Sequence, residues 1–147
     1  MSIFHNHVLM AACCAWMVAQ LSKLVVCLIM NKDMPGNFIF ASGGMPSSHS
    51  ATVCSLVYTV GYYEGVTSSL FAVTVMLAFI VMHDATNVRH ETGKQGKIIN
   101  DMITILEDMG KPIPLEKKFK ELVGHTPAQV FVGACVGLFV GFIFTIW

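Results

Sequence analysis

Long apolar runs are the feature that most constrains this chain. Residues 8–30 are apolar except at Gln20, Ser22 and Lys23, and further apolar runs cover 70–82 and 128–147. About 20 residues of α-helix are enough to cross the roughly 30 Å hydrocarbon core of a bilayer. Only 12% of the residues are charged, about half the fraction that is usual for a soluble domain. The sequence therefore predicts an integral membrane protein.

The runs predict an all-α fold, a polytopic membrane bundle of about four transmembrane helices. The expected helices are Val8 to about Met30, Pro46 to about Tyr63, Ser69 to about Arg89, and Ala128–Trp147. The second helix is short, and its polar opening turn should sit within protein or at the interface rather than in lipid. We expect one integral-membrane domain over residues 1–147, because no repeat or linker divides it.

The charged segment before the last run predicts one or two amphipathic interfacial helices. Apolar residues recur at helical spacing between Lys94 and Met109, and residues 115–123 form a shorter piece of the same kind. With four spans, all nine Lys and Arg residues fall on or near one side of the membrane. The positive-inside rule assigns that side to the cytoplasm. The formal net charge of zero gives no reason to expect a nucleic acid partner.

Polar residues cluster where the second helix begins, in the run Gly43-Gly44-Met45-Pro46-Ser47-Ser48-His49-Ser50. Glycine permits tight loop conformations, and proline favours the first position of a helix. A helix start with free N–H groups attracts anions, so the run indicates a phosphate site as well as an ordinary capped helix. Lys23 lies near this side, where its side chain either snorkels to the interface or faces a polar cavity.

A second histidine precedes the last apolar run, in Gly124-His125-Thr126-Pro127. Thr126 can cap this helix and Pro127 can occupy its first turn. Phosphoryl transfer through histidine needs an imidazole nucleophile, a second acid or base, and donors for the phosphoryl oxygens. His125 and His49 can fill the first two roles. Lys23, Arg89 and Ser48 can supply the donors.

The last helix also carries Gly133, Gly137 and Gly141 at four-residue spacing. Small residues at this spacing let two membrane helices approach closely. We expect internal packing of this face in preference to a dedicated dimer contact. A homodimer through the same face is the alternative.

These motifs, in this order, resemble the divergent phosphatidic acid phosphatase type 2 family, which is related to bacterial acid phosphatases and vanadium haloperoxidases. The resemblance rests on the Ser-Ser-His run, on Asp84 with Arg89, and on Gly-His-Thr-Pro followed by Val130 and Gly133. It implies a membrane-embedded phosphatase that acts on a lipid phosphate or isoprenoid (pyro)phosphate through a phosphohistidine, without an obligatory metal or other cofactor.

The resemblance also assigns roles. It makes His125 the nucleophile and His49 the general acid, with Asp84 as a further catalytic candidate. It gives phosphate binding to the polar and basic set formed by Lys23, Gly44, Ser47, Ser48 and Arg89.

Three features depart from the family pattern. No Arg-Pro pair follows Lys23, and lysines stand near Phe119 in place of an arginine, where Arg89 can substitute in space. Four residues after His125 stands Gln129 in place of a carboxylate. An amide can orient the imidazole but cannot stabilise an imidazolium as a carboxylate does. Asp84 or Glu121 can compensate as a second orienting carboxylate.

Several alternatives stay open at the level of sequence. Asp84 and its neighbours carry hard oxygen ligands of the kind that suit Mg²⁺. A non-catalytic protein that binds phospholipid or phosphate on the same scaffold would explain Gln129 and the incomplete basic set. A small transporter or channel subunit would use the intramembrane Lys23 and the glycine-rich last helix.

Overall fold

A computed structural model describes residues 5–29, 44–110 and 124–146. Its helices are α1 (His7–Ile29), α2 (Ser48–Tyr63), α3 (Ser69–His83), α4 (Arg89–Asp108) and α5 (Pro127–Ile146). A single π-helical turn, Asp84–Val88, joins α3 to α4. The described residues contain no β-strand. The predicted all-α membrane bundle is confirmed.

The short helix α2 lies at the centre of the bundle. It packs against α1, α3 and α5, and α1 also contacts α5. With 16 residues it is about 24 Å long, less than the hydrocarbon core of a bilayer. Three other helices are long and apolar enough to cross a membrane: His7–Ile29, Ser69–Asp108 and Pro127–Ile146. The short helix α2 therefore packs among longer helices. Its polar opening turn lies within the protein, as the sequence predicted.

Small residues bring α2 and α5 into backbone contact. A Cβ atom at Gly133 would collide with the Ser47 carbonyl oxygen, and one at Gly137 would collide with that of Ala51. At Gly141 the added atom would lie 3.0 Å from the Cβ of Tyr58. The glycine face is thus filled by α2 of the same chain, as expected for internal packing. The alternative, a homodimer through the same face, stays a prediction.

The connection between α3 and α4 differs from the expected one. The sequence analysis ended the third span near Arg89 and treated the segment from Lys94 as a separate helix, but the chain stays helical from Ser69 to Asp108. The Thr86 hydroxyl donates to the carbonyls of Met82 at 3.0 Å and His83 at 3.1 Å. Threonine bonded back to the preceding turn disturbs a helix without ending it. The polar cluster therefore widens one turn rather than stopping the helix.

The remaining helix bounds agree closely with the expected ones. The first span and the last begin within one residue of their expected starts. The second helix begins two residues later than expected, because Ser47 is its N-cap and Pro46 precedes the cap instead of opening the helix. The second amphipathic piece, residues 115–123, lies outside the described residues.

Candidate active site

Ser47 holds the start of α2. Its side-chain oxygen accepts from the backbone nitrogen of Ser50 at 3.4 Å and from the Ser50 hydroxyl at 3.1 Å. Its backbone N–H donates to the carbonyl of Gln129 at 3.0 Å, which ties α2 to α5. Ser47 is fully buried. These contacts give Ser47 a structural role, and its predicted role as a phosphate donor stays a prediction.

Lys23 reaches this helix start from α1. Its Nζ donates to the Ser48 hydroxyl at 3.2 Å, and both residues are buried. Of the two alternatives left open by the sequence, the structure supports a polar contact inside the protein over snorkelling. Gly44, in the left-handed region with φ of 80°, lies against the Lys23 side chain, since a Cβ added there would be 3.9 Å from Lys23 Cδ. The predicted phosphate-binding residues Lys23, Ser48 and Gly44 are therefore neighbours.

A capping box opens α5 directly after His125. The backbone nitrogen of Thr126 donates to Oε1 of Gln129 at 3.1 Å, and that of Gln129 donates to the Thr126 hydroxyl at 3.4 Å. This is the reciprocal Thr-x-x-Gln pattern in which the N-cap residue and the residue three positions later satisfy each other's N–H groups. Pro127 takes the first helical position, as expected. The same Gln129 oxygen also lies 3.3 Å from Nδ1 of His125.

The capping box determines which nitrogen of His125 carries the proton. A backbone N–H can only donate, so its bond to Gln129 identifies the amide atom facing Thr126 as the oxygen. That oxygen can only accept, so Nδ1 of His125 must be the donor in their 3.3 Å contact. The neutral imidazole then has its lone pair on Nε2. In this tautomer Nε2, and not Nδ1, is the basic nitrogen of the ring.

The two predicted catalytic histidines face each other. The ring centroids of His49 and His125 lie 5.9 Å apart with the rings inclined at 64°. His125 is 2% exposed, and His49 is half-buried. Because His49 is the second residue of α2 and follows Ser48, the imidazole pair and the Lys23 ammonium meet at one helix start. The sequence predicted this meeting, and the helix packing produces it.

The π turn holds the backbone of the second histidine. The N–H of His125 donates to the Ala85 carbonyl at 3.0 Å. Sequence reasoning missed Ala85, because any residue carries a carbonyl and no side-chain signal marks this one. A π turn departs from the regular helical hydrogen-bond pattern, and such turns occur often at functional sites. The polar run around Thr86 is the signal that could have suggested an irregular turn.

For three further predicted site residues, the structure gives a position along the chain at most. Asp84 is half-buried at the first position of the π turn, next to Ala85. Arg89 begins α4 at the same end of the bundle. Glu121 lies outside the described residues. Among the residues that the structure describes, no group of three or more His, Cys, Asp or Glu side chains is arranged to hold a metal ion.

Comparison with known proteins agrees with this architecture. The family model described as "Divergent PAP2 family" matches residues 4–140. The chain is 37% identical over 147 residues to the "Uncharacterized membrane protein YuiD" of Bacillus subtilis (strain 168), an alignment that covers 94% of this chain and 93% of that protein. No solved structure shows a significant match. The chain therefore belongs to the divergent PAP2 family.

Proposed function

We propose that this protein is a membrane-embedded phosphatase that hydrolyses a lipid phosphate or isoprenoid (pyro)phosphate through a phosphohistidine on His125. The observation that carries the proposal is the meeting of two imidazoles, 5.9 Å between centroids, with a buried ammonium 3.2 Å from the hydroxyl of Ser48. Membership of the PAP2-related family supports the same reaction class.

The proposed reaction has two steps. In the first, Nε2 of His125 attacks phosphorus, the bond from phosphorus to the leaving oxygen breaks, and His49 donates a proton to the departing alcohol or phosphate. In the second, the now neutral His49 takes a proton from water. The oxygen of that water attacks phosphorus, the P–N bond breaks, and inorganic phosphate leaves.

The charges at the helix start suit the phosphoryl oxygens. The Lys23 ammonium and the Ser48 hydroxyl are side-chain donors held within 3.2 Å of each other. The first backbone N–H groups of α2 add the positive end of the helix dipole. Such fixed donors stabilise the charge that develops in the transition state. Asp84 and Arg89, at the same end of the bundle, are proposed to complete the site.

The substrate would come from the bilayer. The site lies at one end of a bundle whose helices expose large apolar side chains, so the tail of a lipid phosphate can stay in the hydrocarbon while its headgroup reaches His125. The distribution of Lys and Arg along the sequence supports a cytoplasmic position for this end.

A second candidate function follows from the contact between Gln129 and His125. The amide orients the imidazole, but as a neutral group it gives little support to the positive charge of a phosphorylated ring. A protein that binds lipid phosphate or inorganic phosphate without turnover would keep Lys23 and Ser48 and would not need a carboxylate at position 129.

Phosphate release by the purified protein in detergent distinguishes the two. The substrates are phosphatidic acid and isoprenoid mono- and diphosphates, and wild type is compared with His125→Ala, with and without EDTA. Release that disappears in His125→Ala and is insensitive to EDTA would support the phosphohistidine reaction. EDTA-sensitive release would instead favour a metal near Asp84. Saturable binding without release, from folded protein, would favour the binding function.

A further inference from the structure

One side of α2 is left open by the other described helices. His49, Thr52 and Leu56 follow one another along that side at three- and four-residue spacing, which places them on one face of the helix. All three are half-buried, whereas residues 53–55 and 59–60 are buried. Helix α2 packs against α1, α3 and α5, but among the described elements α1 and α3 make no substantial contact with each other.

Contacts on either side of this face place it between α1 and α3. On an α-helix, Leu56 lies about 80° from Ser48 in one direction and about 60° from Val53 in the other. Ser48 accepts a hydrogen bond from α1, and Val53 packs in a buried cluster with Ala78 of α3. Ala51, which faces α5, lies about 140° from Leu56. The open side of α2 is therefore the floor of a trough whose walls are α1 and α3.

The α1 wall carries a tryptophan at the level of Leu56. The two helices run antiparallel: Lys23 contacts the start of α2, and the ring of His7 lies against that of Tyr63 at its end, with centroids 6.1 Å apart. Trp16 precedes Lys23 by seven residues, and Leu56 is about as far along α2 from its start. Trp16 is 37% exposed, at the margin of the buried alanine face of α1.

The α3 wall is apolar at the same level. Sγ of Cys54 lies 3.9 Å from Sδ of Met82, so Val81 is about level with Leu56 in this antiparallel pair. Val81 is half-buried, and Leu77, four residues earlier on the same side, is 43% exposed. Both lie about 100° or more around α3 from Met82, on the side that faces α1 across the trough.

The trough is polar at one end only. His49 lies there, beside the Lys23 ammonium and the Ser48 hydroxyl. The Thr52 hydroxyl donates to the Ser48 carbonyl at 2.8 Å, so this polar group is satisfied within α2. Leu56 lies two turns, or about 10 Å, from His49. An apolar channel with a few polar groups at one end suits an amphipathic ligand, whose orientation those groups fix.

We propose that the trough is the chain-binding subsite of the candidate active site. One apolar chain of a lipid phosphate lies on Thr52 and Leu56, between Trp16 and the α3 wall, while its phosphate reaches His49. The inference rests on the proposed function for the phosphate and deepens it, because it names the residues that contact the chain. Its basis is the continuity of the trough with the helix start where the two histidines meet.

Photo-crosslinking of the full chain in phosphatidylcholine vesicles tests the proposal. The vesicles contain a minor amount of a long-chain alkylphosphonate, which has an anionic headgroup and no ester bond for a phosphatase to hydrolyse. p-Benzoylphenylalanine is placed at residue 56 on the floor of the trough and, as a matched lipid-facing control, at residue 139 of α5, where Phe139 is 64% exposed. Residue 77 on the α3 wall is the second trough position, used if the 56 variant does not fold.

We expect adducts at residue 139 to follow the composition of the bilayer, and alkylphosphonate adducts at residue 56 to exceed that composition roughly tenfold. Addition of Lys23→Met to the 56 variant should remove most of this excess. Adducts of the same composition at both positions would overturn the proposal, because the trough would then hold bulk lipid. Adducts at 56 to protein alone would also overturn it, in favour of a cover formed by this chain or a second copy.

Phosphate release by the wild-type protein, measured separately, distinguishes failure of this inference from failure of the proposed reaction. Alkylphosphonate enrichment at residue 56 without turnover would contradict the phosphatase and support the chain-binding subsite. Turnover without enrichment would contradict the subsite and support the phosphatase.

Discussion

Oε1 of Gln129 lies 3.3 Å from Nδ1 of His125 while it caps the helix that His125 precedes. The same atom therefore determines both the tautomer of the imidazole and the start of α5. Glutamate and glutamine both serve as the residue that follows the N-cap by three positions in a capping box. The charge of residue 129 can therefore be changed without removing the cap.

Gln129→Glu should raise phosphatase turnover. A charge-assisted hydrogen bond is roughly twice as strong as a neutral one, and about 1.4 kcal/mol of extra transition-state stabilisation would give roughly a tenfold higher kcat. The measurement is steady-state phosphate release by the two proteins at equal concentration. Gln129→Ala is the matched control, expected to fall below wild type. A folded Gln129→Glu variant no faster than wild type would contradict the idea that the missing carboxylate limits the reaction.

Substitution of His49 and substitution of His125 should affect different steps of the proposed reaction. With p-nitrophenyl phosphate, whose leaving group needs no proton, His49→Gln should still phosphorylate His125 but should hydrolyse the intermediate slowly. The expected signature is a burst of p-nitrophenol that approaches one equivalent per site, measured by rapid mixing. His125→Gln should give neither burst nor turnover. A burst from His125→Gln would assign the nucleophile elsewhere.

Lys23→Met should weaken anion binding and leave the fold intact. The buried ammonium loses solvation and makes its described contact with a neutral hydroxyl, so a bound anion would supply a counter-charge at this position. A hydrogen bond between charged groups is worth about 1.5–3 kcal/mol, which predicts a loss of affinity of roughly 10- to 100-fold. The measurement is the rise in the melting temperature of detergent-solubilised protein with orthovanadate or phosphate.

Lys94→Met is the control for that experiment. It removes the same charge from an exposed side chain on α4, where the lysine pairs with Glu91 at 2.7 Å. It should melt and respond to the anion as wild type does. An equal loss of the anion response in both variants would indicate that net charge, and not the position of Lys23, controls binding.

Gly137→Ala should destabilise the bundle strongly. The new methyl group would collide with the Ala51 carbonyl and would lie 2.8 Å from the Ala51 Cα, and backbone cannot move aside as a flexible side chain can. Overpacking of a close contact typically costs about 1–3 kcal/mol, and we expect the upper part of that range. Thermal unfolding in detergent measures it.

Gly141→Ala provides the comparison within the same helix. Its nearest contacts are Tyr58 Cβ at 3.0 Å and the Ser55 carbonyl at 3.2 Å, so the clash is milder and the loss should be smaller. Equal melting temperatures for wild type and Gly137→Ala would mean that α2 and α5 are not in the described contact.

The parts of the site that depend on side chains could be predicted from the sequence. His49 and His125 each stand at a polar helix start, and Thr126 with Gln129 has the spacing of a capping box. With four spans, both histidine-bearing helix starts fall on the same side of the membrane, so the sequence also predicted that they lie near each other. The role of Gln129 as a cap was missed only because it was compared with a family carboxylate and not with its neighbour three residues earlier.

The parts that depend on backbone could not be predicted in the same way. The site is held by the Ala85 carbonyl and the Ser47 N–H, which are backbone groups. Every residue carries a carbonyl, and every residue except proline carries an N–H, so neither group leaves a mark in the sequence. The continuity of α3 and α4 was also missed, because His83, Asp84 and Asn87 look like the polar end of a span. The chain passes through this cluster in a π turn, with the Thr86 hydroxyl bonded back to the Met82 carbonyl.

The backbone contact of Gly133 with Ser47 affects which substitutions would change the geometry of this site. It sets the separation of the two histidine-bearing helix starts by main-chain atoms, with no side chain between them to act as a spacer. Substitutions at lipid-facing positions of α2 and α5 can therefore accumulate without altering the distance between the two imidazoles. The spacing of the two imidazoles is thus insulated from change in the surrounding apolar surface.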